Sequence, residues 1–133
     1  MTIINAGIIG CGQIGGGYDE EMLDNNIRTH VKAYKQNPHV DLKSVSDVDQ
    51  QRLNQFAENW EVENRYTDYE EMLKNEMIDI LSICTKPVNR FEMIRKAVDT
   101  GVRLIFCEKP LADSLDEGQK IIDYCYSNNV KLA

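Results

Sequence analysis

Apolar residues in this chain fall into short solid runs, separated by longer stretches in which they recur every three or four positions. The clearest runs are Ile3 to Ile9 (IINAGII), Ile78 to Cys84 (IDILSIC) and Val102 to Cys107. Val40 to Ser46 (VDLKSVS) and the short Asn64 to Tyr66 (NRY) are only partly apolar, and a last stretch begins at Val130 and reaches Ala133. Runs of this length bounded by turn residues predict buried strands. The intervening stretches predict helices at about Arg28 to Gln36, Gln50 to Glu58, a short one presenting Met72 and Leu73, Val88 to Thr100, and one ending near Ser127. The punctuation agrees. Asn37-Pro38 stops the first helix, and Asp49 can cap the second. Thr67 with Glu70, or Asp68 with Glu71, makes a capping box before the third, and Ser114-Leu115-Asp116-Glu117 makes another. Gly101 stands where a helix ends, and Asn128-Asn129 closes the last one. Strand and helix alternate throughout, so the expected fold class is α/β: a doubly wound, mostly parallel sheet with helices on both faces.

The first strand runs directly into Gly10-Cys11-Gly12-Gln13-Ile14-Gly15, a G-x-G-x-x-G sequence. In a strand–turn–helix setting the first glycine permits a tight turn, the second lets backbone approach a pyrophosphate, and the third permits close packing of helix on strand. Unpaired N–H groups at the helix start then favour an anion. The motif alone is weak. Its position after a clear strand, in a chain that continues in βα alternation, makes it the mark of a Rossmann-type dinucleotide-binding domain. The alternative at this level is a glycine-rich turn that binds nothing, or another nucleotide-like ligand.

Composition narrows the options. The chain has 133 residues, 42% hydrophobic and 28% charged, which suits one domain with a proper core rather than two or a disordered segment. Its net charge of −7 leaves no basic stripe to neutralise a phosphate backbone, so no nucleic-acid partner is expected. No apolar run approaches membrane-spanning length, so no membrane association is expected and the default location is cytoplasmic. Cys11, Cys84, Cys107 and Cys125 form no C-x-x-C pair and no zinc-like spacing with histidine. They are expected to be small, buried, reduced thiols, with no metal site.

Ligands of such sheets bind at the carboxyl ends of the strands. Asp47 ends the second strand, where a carboxylate can accept both hydroxyls of an adenosine ribose. The same charge repels a 2′-phosphate, which favours NAD over NADP. In the compact motif the acid follows the loop by about 20 residues. Here about a dozen more intervene, in an acidic stretch from Gly16 to Asn26 (GGYDEEMLDNN). That insertion is either a solvated excursion or a flap or subunit contact. Thr85-Lys86-Pro87 and Cys107-Glu108-Lys109-Pro110 end strands four and five. A lysine beside a carboxylate and fixed by a proline can hydrogen-bond a substrate hydroxyl or assist proton transfer; by composition alone a solvated Lys–Glu pair in a loop is the favoured reading.

The order GCGQIG, SVSDVD, TDYEEML, IDILSICT and FCEKPLADSLDEG, spanning about Ile3 to Ala133, resembles the nucleotide-binding half of the Gfo/Idh/MocA oxidoreductases. The resemblance implies a Rossmann domain followed by a larger α/β substrate domain. It implies hydride transfer between a nicotinamide cofactor and a hydroxyl carbon of a sugar, cyclitol or derivative, in a full-length protein that is a homo-oligomer. It assigns Gly10, Gly12, Gln13, Ile14 and Gly15 to the pyrophosphate loop, Asp47 to the ribose, and Cys84 and Thr85 to the cofactor's edge. It places Glu108 and Lys109 near the nicotinamide ribose and the reacting hydroxyl, with Lys109 catalytic and the Lys109–Pro110 bond often cis. Lys86 and Arg90 stand where relatives often carry Pro and His. His30 looks like the histidine that usually follows the glycine loop, displaced by the insertion, or else is a helix residue with no ligand role. The long GGGYD loop looks similar to members acting in surface-polysaccharide biosynthesis.

The expectation is therefore a cofactor-binding domain over residues 1–133, part of a longer chain, that binds NAD but does not turn over alone. The rival is a non-catalytic Rossmann module that senses NAD(H) or serves an assembly. A methyltransferase is more distant, because it leaves Glu108-Lys109-Pro110 without a role.

Overall fold

The computed structural model describes residues 2–133. Six strands form one parallel sheet: β1 (Ile4–Ile9), β2 (Val40–Ser46), β3 (Asn64–Tyr66), β4 (Ile80–Ile83), β5 (Leu104–Cys107) and β6 (Lys131–Leu132). Their order across the sheet is β3-β2-β1-β4-β5-β6. The order reverses between β1 and β4, so the chain after β1 and the chain after β4 leave the sheet in opposite directions and open a crevice at their carboxyl ends. Register is flush there: Ser46, Ile9, Ile83 and Cys107 lie in one row. The residues that follow each of these strands are therefore held at one level.

Helices cover both faces, as the alternation predicts. α2 (His30–Gln36) and α3 (Gln50–Asn59) pack on one side, where Ala6, Ile8, Val31, Val45, Leu53 and Phe56 form a core. α4 (Tyr69–Asn75), α5 (Arg90–Asp99) and α6 (Leu115–Ser127) cover the other, around Ile9, Leu81, Ile83, Ile94, Ile105 and Ile121. Alternate residues of β1 and β4 serve opposite cores because strand side chains have a period of two. The expected caps form. Asp49 accepts from the N–H groups of Gln51 and Arg52, and Ser114 accepts from that of Glu117. Of the two boxes offered before α4, Asp68 is the cap, accepting from the Glu70 N–H. Strand limits shrink by one to three residues where the apolar run continues past the ladder: Ile3 is exposed, and Ile78 packs against Gly7 without joining β4.

The insertion departs most from expectation. Gln13–Gly17 forms a single π-helical turn, with the Gly17 N–H donating to the Gly12 carbonyl, and Tyr18–Glu20 adds one short helical turn, α1. The first full helix, α2, begins only at His30, capped by Thr29. Gly16 makes the compact turn possible: a Cβ there would lie 2.4 Å from Phe56 and 2.7 Å from Trp60.

The remainder is a solvated excursion from Glu20 to Ile27, tied down at its base. Asp19, at 5% exposure, accepts from the Arg28 N–H at 3.0 Å, the Thr29 hydroxyl at 2.7 Å and the Arg28 guanidinium at 3.3 Å. Lys32 adds its ammonium at 3.7 Å from the same carboxylate and donates to the carbonyls of Asp24 and Asn26. Arg28 also grips Asp24 with both guanidinium arms, at 2.8 and 2.7 Å. The loop is thus closed on a buried carboxylate. Burial alone would push the Asp19 carboxyl up, but the Thr29 hydroxyl, the Arg28 N–H and guanidinium and the Lys32 charge together hold it below the usual carboxylate range.

A carboxyl lowered on folding stabilises the fold above its unfolded value, and that stabilisation is lost as pH falls through the folded value. Asp19→Asn should therefore cost about 2 kcal/mol at neutral pH by leaving buried donors unmatched. The gap to the unsubstituted chain should narrow as pH drops below the ordinary carboxylate range. Denaturant unfolding at both pH values checks this; an unchanging gap would mean that Asp19 is not ionised in the fold.

Candidate functional site

The four strand ends bring most of the sequence-predicted residues together. Gly10 sits at φ 100°, and a Cβ on it would lie 2.8 Å from the carbonyl carbon of Cys84. Only glycine allows β1 to end so close to β4. Gly15 folds back over this turn, where a Cβ would come within 2.6 Å of the Gly10 carbonyl oxygen. Gly12 is different: nothing lies within 4 Å of a Cβ built there, so its face is open to a ligand. Gln13 is exposed, Ile14 is partly buried, and both lie in the π-helical turn rather than in a long helix. The anion-binding contribution expected of a full helix start therefore falls to the loop's own N–H groups.

Asp47 lies where expected, buried at the end of β2, and has a second task. Its Oδ2 accepts from the Cys11 N–H and its Oδ1 from the Asp49 N–H, each at 2.8 Å. These two bonds fix the glycine loop to β2 and leave each oxygen with a free lone pair for a further donor. Arg52 approaches to 3.8 Å and is more than half exposed. Together with Cys11, Gly12, Gln13, Phe56 and Glu20 of the insertion, it lines a cavity of about 290 Å³. The insertion thus supplies a wall of the site, through a residue the spacing argument did not single out.

At the end of β4, Cys84 and Thr85 are half-buried. Burial, then the nearby Glu108 carboxylate, pushes the Cys84 thiol up to about 12, so it stays protonated at neutral pH. Burial likewise raises Cys11, Cys107 and Cys125, and all four thiols are free. The hydroxyl of Thr85 is buried with no hydrogen-bond partner among the described residues, as is that of Ser46. Buried polar groups are seldom left so, and Thr85 follows directly on Cys84, whose main chain meets Gly10.

Glu108 and Lys109 follow β5. The Glu108 N–H extends the sheet ladder to the Ile83 carbonyl at 2.9 Å, Lys109 is exposed, and the Lys109–Pro110 peptide is cis. The loop is held by Arg90, whose contacts sequence reasoning did not resolve. Arg90 is completely buried, and its guanidinium donates to the main-chain carbonyls of Thr85, Glu108 and Pro110. A cation in this position clamps the ends of β4 and β5 together. It needed no carboxylate partner, so no charge pattern in the sequence announced it. His30 is also drawn in: its Nε2 lies 2.8 Å from Glu108 Oε1 and its Nδ1 2.8 Å from the Ser82 hydroxyl. His30 is thus a helix residue, the first of α2, that also contacts Glu108.

A parallel sheet with this strand order, a glycine loop after the first strand and an acid after the second defines a dinucleotide-binding α/β domain. The chain matches the family model described as "Oxidoreductase family, NAD-binding Rossmann fold" over residues 4–133, and it belongs to that family, the Gfo/Idh/MocA oxidoreductases. It is 31% identical over 129 residues to the uncharacterized oxidoreductase YrbE of Bacillus subtilis, covering 97% of this chain and 34% of that protein. It is 29% identical over 119 residues to the myo-inositol 2-dehydrogenase of Thermotoga maritima, covering 88% and 31%. The crystal structure of a probable dehydrogenase from Thermotoga maritima superposes with a TM-score of 0.79 at 25% identity, over 97% of this chain and 35% of that one. An oxidoreductase from Agrobacterium radiobacter in complex with NAD⁺, L-tartaric acid and magnesium shares the fold, with a TM-score of 0.82 at 21% identity, over 98% and 34%. The chain thus spans about a third of the length of these relatives.

Replacing Arg90 with methionine leaves three main-chain carbonyls without their donor and should lower unfolding stability by about 3 kcal/mol. Arg90→Lys, which cannot fork between them, should recover only part. Equal stability of all three chains would show that the guanidinium is not the clamp.

Proposed function

We propose that this chain is the cofactor-binding part of an NAD-dependent oxidoreductase that moves a hydride between nicotinamide and a hydroxyl carbon of a sugar, cyclitol or sugar derivative. The observation that carries the reading is the convergence, at one level of the β1/β4 crevice, of the glycine loop, Asp47, Thr85 and Glu108-Lys109. In the pyrophosphate loop Gly10, Gly12, Gln13, Ile14 and Gly15, Gly10 sets the turn, its own N–H donating to the Ser46 carbonyl, and the residues from Gly12 to Gly15 cradle the pyrophosphate with main-chain N–H groups. Asp47 takes the adenosine ribose hydroxyls on its unused lone pairs. Cys84 and Thr85 border the dinucleotide, with the unmatched Thr85 hydroxyl a donor or acceptor for it. Glu108 lies at the nicotinamide ribose.

The nicotinamide, when bound, supplies the hydride acceptor or donor. Lys109, exposed at the loop tip, holds the substrate hydroxyl and assists removal of its proton. The sugar-like substrate class rests on relatives such as the myo-inositol dehydrogenase above and on the family pattern around Glu108-Lys109-Pro110. The pocket for that substrate and the remaining acid–base groups belong to a second domain outside residues 1–133, through which the whole protein forms a homo-oligomer. No helix among the described residues is long and apolar enough to cross a membrane.

NAD is favoured over NADP because a 2′-phosphate would meet the Asp47 carboxylate. The exposed Arg52 offsets that charge only in part, and Glu20 adds a second acid to the same cavity. Calorimetric titration of the chain should show NADH binding at least tenfold more tightly than NADPH, equivalent to about 1.4 kcal/mol. Asp47→Ala should abolish the preference. It should also lower the melting temperature, since the Cys11 and Asp49 N–H groups lose their acceptor. Equal affinity for both cofactors in the unsubstituted chain would contradict the assignment of Asp47. Lys109→Ala should leave NADH affinity within about twofold, because a residue acting on substrate adds little to cofactor binding; a large loss would move Lys109 from the substrate to the cofactor.

A further inference from the structure

Behind the glycine loop, three polar side chains are buried in series where an apolar core would be expected. Ser82 is the third of the four residues of β4 and completely buried, with Leu81 and Ile83 turned to the opposite core. Its hydroxyl lies 2.5 Å from the Tyr34 hydroxyl and 2.8 Å from His30 Nδ1. His30 Nε2 then reaches Glu108 Oε1 at 2.8 Å, and its ring is held edge-on by Phe106 at 4.6 Å. The series joins α2, β4 and the loop after β5.

Hydrogen-bond counting gives the series one direction. An ionised carboxylate only accepts, so His30 Nε2 carries the proton given to Glu108. Nδ1 of the neutral ring then accepts from Ser82, and Ser82 accepts from Tyr34. Every proton has one acceptor. If Nδ1 were also protonated, Ser82 would have to accept from it and donate to Tyr34. The buried Tyr34 hydroxyl would then keep a proton with no acceptor among the described residues, which is unfavourable. Burial pushes the Tyr34 phenol up, which keeps it a donor.

The geometry points to His30 as a positioning residue for the cofactor site. With its proton set by Ser82 and Tyr34, it ties Oε1 of Glu108 and leaves Oε2 as the oxygen that receives a hydroxyl at the nicotinamide end of the dinucleotide. The main chain of Glu108 is fixed independently, by the Ile83 carbonyl on one side and Arg90 on the other. The carboxylate is the part of this residue still able to rotate, and His30 is the group that removes that freedom. The insertion gains a role as well. By closing on Asp19 it delivers Thr29, the cap of α2, and so sets the position of His30, the first residue of the helix.

This inference rests on the cofactor reading proposed above, and the test separates the two. The probes are NADH, which carries the nicotinamide ribose, and ADP, which lacks it. His30→Phe, which keeps a ring beside Phe106 but donates nothing, should weaken NADH about three- to tenfold, the effect of one hydrogen bond to a charged group, and leave ADP unchanged. His30→Gln, whose amide can donate to Glu108, should recover most of the loss. In ¹⁵N spectra of the unsubstituted chain, His30 should appear as a neutral ring with Nε2 protonated and Nδ1 bare, and NADH, not ADP, should shift its signals. A protonated Nδ1, or equal weakening of NADH and ADP in His30→Phe, would overturn the positioning role while leaving the cofactor reading intact. Failure of both ligands to bind the unsubstituted chain would remove the cofactor reading and the inference with it.

Discussion

The site depends on how closely β1 and β4 approach at their carboxyl ends. Gly10 turns at positive φ against the main chain of Cys84, at a distance no side chain tolerates. From that contact follow the direction of the glycine loop, the return of Gly15 onto the Gly10 carbonyl, and the opening above Gly12. The strand order makes the contact useful: only between β1 and β4 do the chains leave the sheet in opposite directions, so a crevice forms there and nowhere else along the row.

Around that point the fold uses buried polar groups where simple packing would have sufficed for stability. Asp47 secures the glycine loop to β2. Arg90 secures the loop after β5 to the end of β4. Asp19 secures the insertion, and the Tyr34–Ser82–His30 series reaches Glu108. Hydrogen bonds hold each of them, and burial would be costly without these, although the Arg90 Nε itself has no partner among the described residues. All four lie on the carboxyl-end side of the sheet or in its loops, whereas the two cores are almost wholly aliphatic and aromatic. Polar burial at this one end holds several loops in a fixed relation, as a preorganised binding site requires.

The parts of this arrangement that were legible in the sequence are those with local signatures. Apolar stretches, helical spacing and capping residues located β2 and β3 to the residue and the other strands and α2 to α6 within a few positions, because these signals act over one or two turns; the π-helical turn and α1 carried none. The places of the glycine loop, Asp47 and Glu108-Lys109 at strand ends were legible because they depend only on where a strand stops. What escaped depends on contacts between distant segments. Arg90 bonds only to main-chain carbonyls, so no complementary charge in the sequence pointed to it. His30 meets Glu108 across 78 positions. A signal was present in Ser82, a polar residue at the centre of IDILSIC, since a buried hydroxyl in a central strand must have a partner. In the sequence the insertion is open between a solvated excursion and a flap or subunit contact; in the structure Glu20 to Ile27 are exposed, while one of its acids, Asp19, is a buried anchor that the nearby Arg28 and Lys32 enclose.

On the proposed reading a nicotinamide dinucleotide lies across the β1/β4 crevice, from Asp47 at one end to Glu108 at the other. A map of backbone amide shifts in the ¹⁵N-labelled chain as NADH is added tests this. The largest changes should fall at Gly10 to Gly15, Asp47, Thr85, Glu108 and Lys109, with Phe91, Lys120 and Tyr124 on the outer helices unmoved. Changes centred on α5 and α6, or confined to one end of the crevice, would rule that placement out.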